Sequence, residues 1–178
     1  MPEHVTKKDD SAQEIESQLS SQHHSGAQWF YWIAALSLLN SAASWFGTDW
    51  GFVIGLGITQ VFDAFATVLQ EELGPAVRVA AFAGSLVVAG SFVLFGIVAS
   101  RRSGLAYVLG MTLYALDGAL FLLVGDWLSV GFHVFALFFI ARGFQACRKL
   151  DSMAPAPSAS ADRELVPEDT RFAEPASR

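Results

Sequence analysis

Residues 50–72, WGFVIGLGITQVFDAFATVLQEE, decide how this chain is read, because the stretch is apolar enough to enter a bilayer yet carries an acid, Asp63, in its middle. At 100° per residue from Thr59 onward, Thr59, Gln60, Asp63, Thr67, Gln70 and Glu71 fall within an arc of about 120°. Ile58, Phe62, Phe65, Val68 and Leu69 occupy the other side, so the segment reads as an amphipathic helix. The apolar run before it, Phe52 to Ile58, is broken by Gly55 and Gly57. It is too short for a hydrocarbon core of roughly 30 Å, which needs about 20 helical residues.

Two arrangements follow. In one, the chain dips into the membrane, turns near the two glycines and returns as a re-entrant or interfacial helix with its polar face toward water. In the other, residues 51–70 span once, with the polar stripe facing the bundle interior. An Asp near the bilayer centre costs about 2.5–3.5 kcal/mol, whereas each Val, Ile, Leu or Phe returns only about 0.3–0.6 kcal/mol. That balance favours the dip.

The flanks read as membrane helix. About Ala27 to Phe46 forms a first span, opened by Trp29, Phe30, Tyr31 and Trp32 and closed by Trp45, Phe46 and Trp50, as interfacial aromatic belts would be. Asn40, near mid-depth among Ser37, Ser41 and Ser44, reads as packing glue between helices. After Leu73-Gly74-Pro75 a second span runs from about Ala76 to Ser100, with Ala81, Ser85 and Ala89 as a ridge of small residues. Spans from about Leu105 to Val124 and Trp127 to Phe144 complete the set, joined at Gly125-Asp126, where Asp126 can cap the next helix. Arg101-Arg102-Ser103-Gly104, with Arg142, Arg148 and Lys149, marks one side as cytoplasmic. The expectation is therefore an all-α polytopic membrane bundle of four transmembrane helices plus one re-entrant or interfacial helix, with five transmembrane helices as the alternative.

The 178 residues are 53% hydrophobic with a mean hydropathy of +0.41 although both ends are polar, so the apolar residues concentrate in the middle. Residues 1–26 and 150–178 are expected as disordered tails flanking a helical membrane domain at 27–149, since few of their side chains bury apolar surface. His23-His24 reads there as a solvated pair. The net charge of −6 divides as −3 over residues 1–28, −3 over 29–141 and 0 over 142–178, leaving no basic patch for nucleic acid. One cysteine, Cys147, excludes an internal disulfide and any multi-thiolate metal site.

Asp117 and His133 are the residues with the most chemistry. Each lies eight positions from residue 125 at the hairpin turn, which puts them at one depth on antiparallel neighbours, with Tyr107 and Tyr114 on the face of Asp117 and Ser129 on that of His133. A carboxylate and an imidazole that meet in a membrane interior form a satisfied polar pair fixing the hairpin register, or line a proton or ligand path with Gln60, Asp63 and Tyr114. Asp63, Asp117 and His133 would make a two-carboxylate, one-histidine metal set, but no local ligand spacing supports it, and neither a metal nor a cofactor is expected. No catalytic motif is present: Gly84-Ser85 and Gly90-Ser91 read as packing, not as a serine nucleophile. Two functions remain, a structural or interaction subunit and a small transporter or channel subunit. The expected partners are the lipid bilayer of the cell (inner) membrane, with the C-terminus cytoplasmic, and a membrane-protein partner or second copy of the chain.

Overall fold

The computed structural model describes residues 3–46 and 55–154. They form five helices: α1 (Glu3–Trp45), α2 (Gly57–Leu73), α3 (Ala76–Ser100), α4 (Gly104–Val124) and α5 (Trp127–Met153). Three of these, α3, α4 and α5, are long and apolar enough to cross a membrane. Their outward faces carry bare large apolar side chains, among them Leu94, Leu105, Leu116, Leu123 and Phe138. A surface so apolar is at home in lipid and not in water.

Helix α1 corrects the expectation for the N-terminal segment. Residues 3–26, read as a disordered tail, belong to one continuous helix of 43 residues that leads into the apolar part without a break. From His23 on the helix carries a buried stripe: His23, Gly26, Ala27, Phe30, Ile33, Ala34, Ser37, Asn40 and Ser41 recur at spacings of mostly three and four and all face the bundle, while residues 11–18 are exposed. The same stripe contradicts the reading of His23 as solvated, since it is 2% exposed, whereas His24 beside it is exposed. Polar Ser37, Asn40 and Ser41 within the stripe also explain why α1, which was expected to supply a fourth span, is not among the helices apolar enough to cross.

The helices are arranged antiparallel. Gly26 meets Gly143 so closely that a Cβ added at Gly26 would lie 2.4 Å from the Gly143 Cα, and Trp29 stacks on Phe139 at 5.2 Å, which sets α1 against α5. Tyr31 covers Gly96 and His23 reaches the Ser100 carbonyl, which sets α1 against α3. On α3 the inward stripe is Ser85, Ala89, Phe92, Gly96 and Ala99, so the small-residue ridge expected around Ala81, Ser85 and Ala89 does face the bundle at its last two members. Helix α5 runs nine residues beyond the expected end at Phe144, because Ala146, Cys147 and Leu150 continue its buried face. The remainder of the expected C-terminal tail, residues 155–178, and residues 47–54 lie outside the described residues.

The turns are chemically specified. Gly125 takes a left-handed φ of 73° at the end of α4, its N–H donating to Leu122 O at 3.4 Å and the Asp126 N–H to Phe121 O at 3.0 Å. This is a Schellman closure, for which glycine is the unstrained choice. Asp126 then caps α5, as its position suggested: it accepts from the Ser129 N–H at 3.2 Å and from the Ser129 hydroxyl at 2.6 Å. These bonds hold its carboxyl below the usual carboxylate range.

Helix α2 has 17 residues, fewer than a straight crossing needs. It packs antiparallel on α3, with Phe62 against Gly84, and turns into it through Gly74, whose φ is 77°. Its start lies inside the bundle: Leu56, Gly57 and Thr59 are all buried.

Candidate functional site

A helix that begins inside a bundle leaves its first N–H groups away from water, and each must find a partner. The Thr59 N–H turns back on the Leu56 carbonyl at 3.2 Å, but the N–H groups before it have no local side-chain acceptor, because the N-cap position is Leu56. Two other helices supply the acceptors. Ser37 of α1 accepts the Leu56 N–H at 2.8 Å and donates its own hydroxyl proton to the Ile33 carbonyl at 2.8 Å. Asp117 of α4 accepts the Gly57 N–H on Oδ2 at 2.7 Å and the Ile58 N–H on Oδ1 at 2.9 Å. The α2 start is thus capped from outside its own sequence, and the carboxylate sits at the positive end of the helix dipole.

His133 completes the cluster. Its Nδ1 lies 2.8 Å from the Ser129 carbonyl, which can only accept, so Nδ1 carries a hydrogen. Its Nε2 lies 3.1 Å from Asp117 Oδ2, so one further proton must lie between these two atoms, whichever of them owns it. The ring is stacked on Tyr114 at 4.3 Å and flanked by Phe121 at 5.2 Å. Gly118 makes the approach possible, since a Cβ there would stand 3.0 Å from the imidazole. Asp117 is 7% exposed and His133 2%. Every polar atom of the pair has a partner, which is the condition under which a buried ionic group is tolerated in a low-dielectric interior.

The structure therefore brings together Asp117 and His133, the pair singled out by depth, and adds Tyr114 through its ring. Among the described residues the buried Tyr114 hydroxyl has no hydrogen-bond partner. Gln60 and Asp63 stand further along α2, half-buried, and no hydrogen bond ties them to the pair. Asp63 feels the charge of Arg78 instead. Among the described residues no three His, Cys, Asp or Glu side chains gather into a metal-binding group. Asn40 is buried beside the turn into α2, where a Cβ on Gly55 would stand 3.5 Å from its Nδ2.

Tyr107 does not extend this cluster. It belongs to a second one at the arginine-rich end, donating its hydroxyl proton to the His23 carbonyl at 2.8 Å and lying 3.2 Å from His23 Nδ1. His23 Nε2 in turn donates to Ser100 O at 3.3 Å, one of the carbonyls left over at the end of α3. Sequence reasoning missed His23, although the spacing 23, 26, 30, 33, 37 carried the signal. It also missed Ser37 and Asp117 as caps of α2. The one available hint was a helix start, Gly55-Leu56-Gly57, with no capping residue of its own.

On its outer side Asp117 also lines a cleft of about 400 Å³ between α3 and α4, otherwise walled by apolar side chains such as Leu56, Val88, Phe92 and Leu113, with Ser91 as its other polar member. No protein-family model, curated protein or solved structure matches this chain.

Proposed function

We propose that this chain is a structural or interaction subunit of the cell membrane, in which α1, α3, α4 and α5 span and α2 is a re-entrant helix docked into them. The observation that carries this reading is the use of Asp117 as a helix cap: each oxygen accepts a backbone N–H and one also faces His133. A carboxylate used in this way holds a helix start in place, with three of its roughly four lone-pair positions engaged inside the protein. Counting α1 as a span is supported by its packing along α3 and α5 and by the length of its buried stripe from Ala27 to Ser41. Arg101, Arg102, Arg142, Arg148 and Lys149 cluster at one end of the bundle, which supports placing that end, with Met153, in the cytoplasm. A membrane-protein partner or a second copy would meet the exposed apolar flank of the bundle.

A second reading, a small transporter or channel subunit, draws its support from the cleft that Asp117 lines. Proton flux separates the two. The protein reconstituted in liposomes loaded with a pH dye is expected to pass no more protons under an imposed potential than empty liposomes do. A flux that disappears in Asp117→Asn would replace the structural reading by the path.

A further inference from the structure

Between α1 and α5 a groove runs from the arginine-rich end toward the middle of the bundle. Its mouth, a cavity of about 460 Å³, is lined mainly by polar side chains, Ser21, Gln22, Ser25 and Arg142 among them. Through the shared Ser25 it continues into a section of about 290 Å³ walled by Trp29, Trp32, Leu36 and Phe132, with Gln28 as its other polar member. Neither section is lined by a carboxylate.

Arg142 is held in place at the mouth. With the Gln22 amide oriented so that its oxygen faces the guanidinium, that oxygen accepts from Nε at 2.9 Å and from Nη2 at 3.0 Å. The Phe138 ring lies 5.8 Å from the guanidinium carbon. This fork leaves Nη1 for another acceptor, and Ser21 and Ser25 line the same cavity. A fixed guanidinium with hydroxyl donors at its side is suited to a phosphate. The wall below it is rigid and apolar, since Trp29 is stacked on Phe139 and set edge-on to Phe135 at 5.5 Å.

Cationic and polar at one end and aromatic toward the bundle centre, the groove has the polarity profile of a single lipid molecule lying in one leaflet. We propose that it binds an anionic phospholipid of the leaflet at the arginine-rich end, its phosphate at Arg142, Ser21 and Ser25 and an acyl chain along Trp29, Trp32 and Phe132. Charge complementarity selects an anionic lipid, and Arg101, Arg102, Arg148 and Lys149 at the same end enrich such lipids nearby. This inference rests on the membrane reading above.

The test uses the full chain with Trp45→Phe, Trp50→Phe and Trp127→Phe, so that Trp29 and Trp32 report alone, in vesicles of phosphatidylcholine containing a minor fraction of phosphatidylglycerol. Brominated phosphatidylglycerol is expected to quench this fluorescence roughly fivefold more, per lipid, than brominated phosphatidylcholine, the preference one basic side chain gives at a membrane surface. The excess should vanish in Arg142→Ala, persist in Arg148→Ala and largely survive in Arg142→Lys, which keeps the charge. Equal loss in the Arg142 and Arg148 alanine variants, or an excess that survives Arg142→Ala, would overturn the site. So would loss in Arg142→Lys equal to that in alanine, or an Arg142-dependent response to inorganic phosphate with no excess quenching. Flotation of the vesicles keeps the two readings apart: protein that does not float overturns the membrane reading, whereas protein that floats without the excess overturns only the lipid site.

Discussion

Asp117 Oδ2 accepts the Gly57 N–H at 2.7 Å across 60 positions of sequence, so the start of α2 is fixed by a side chain of α4. Because the same oxygen faces His133 of α5 at 3.1 Å, the register of the α4–α5 hairpin and the seat of α2 are set by one carboxylate. Loss of either contact is felt in all three helices.

Asp117→Asn removes an acceptor and turns an amide toward donors, and His133→Ala removes the ring that Gly118 accommodates. Each variant should destabilise the bundle, and the double variant should cost less than the sum, with a coupling of about 0.5–2 kcal/mol between contacting residues. Hydrogen exchange gives a second readout: in Asp117→Asn the amides of Gly57 and Ile58 should lose protection while those of the middle of α4 keep it. Additive single variants would overturn the coupling of Asp117 to His133, and unchanged exchange at Gly57 would overturn the cap.

How much of this was legible in the sequence varies with range. The apolar runs of α3, α4 and α5 and the turn chemistry of Gly125-Asp126 are local signals, and the equal offsets of Asp117 and His133 from residue 125 brought the pair together because a tight hairpin preserves depth. The cap on α2 is not local: nothing near Gly57 specifies Asp117, and only the three-dimensional return of the chain shows what the acid is for. The start of α1 was misread for a different reason. Composition averages over residues 1–26 hid a stripe of a few inward-facing positions, His23 and Gly26, that continues the buried face of the apolar half.

Tyr114→Phe separates a dry cluster from a wet one. The substitution keeps the stack on His133 and removes a buried hydroxyl that has no partner among the described residues. It should raise thermal stability, by an amount corresponding to about 1 kcal/mol of relieved desolvation. A loss of stability would mean that a water or ligand occupies the hydroxyl, as a path requires.

Two alanine substitutions should act in opposite directions. A Cβ on Gly26 meets the Gly143 backbone, which cannot yield without parting α1 from α5, so Gly26→Ala should cost about 1–3 kcal/mol or more. Gly90 in α3 has nothing within 4 Å of its would-be Cβ, so Gly90→Ala should gain up to about 1 kcal/mol of helix propensity. Denaturation midpoints in one detergent compare them directly.

Topology is open to labelling. In a Cys147→Ser background, Phe46→Cys and Glu72→Cys should react with a membrane-impermeant thiol reagent from one side and Ser152→Cys only from the other. Phe46 and Glu72 on opposite sides would mean that the segment between them crosses, and the re-entrant reading would fail.

His23 should make stability depend on pH. Burial is the main cause that pushes its imidazole below the ordinary value of 6.5, and the neighbouring His24 and Arg102 act in the same direction, while the bond to the Ser100 carbonyl and the charge of Asp151 oppose it. Tyr107 of α4, whose hydroxyl lies 3.2 Å from Nδ1, is the other titratable group against the ring. With the folded value below the unfolded one, the unfolded chain binds more protons in the window between them, so stability rises with pH there. The contribution is complete above the unfolded value and is lost as pH falls toward the folded value, where the protonated ring must be held between α1, α3 and α4. The thermal midpoint in detergent should therefore fall as pH is lowered from about 7 through the unperturbed histidine range. His23→Gln keeps an N–H for the Ser100 carbonyl but cannot titrate, and should flatten the profile. A variant with an unchanged slope would assign the dependence to another histidine and leave His23 as packing alone.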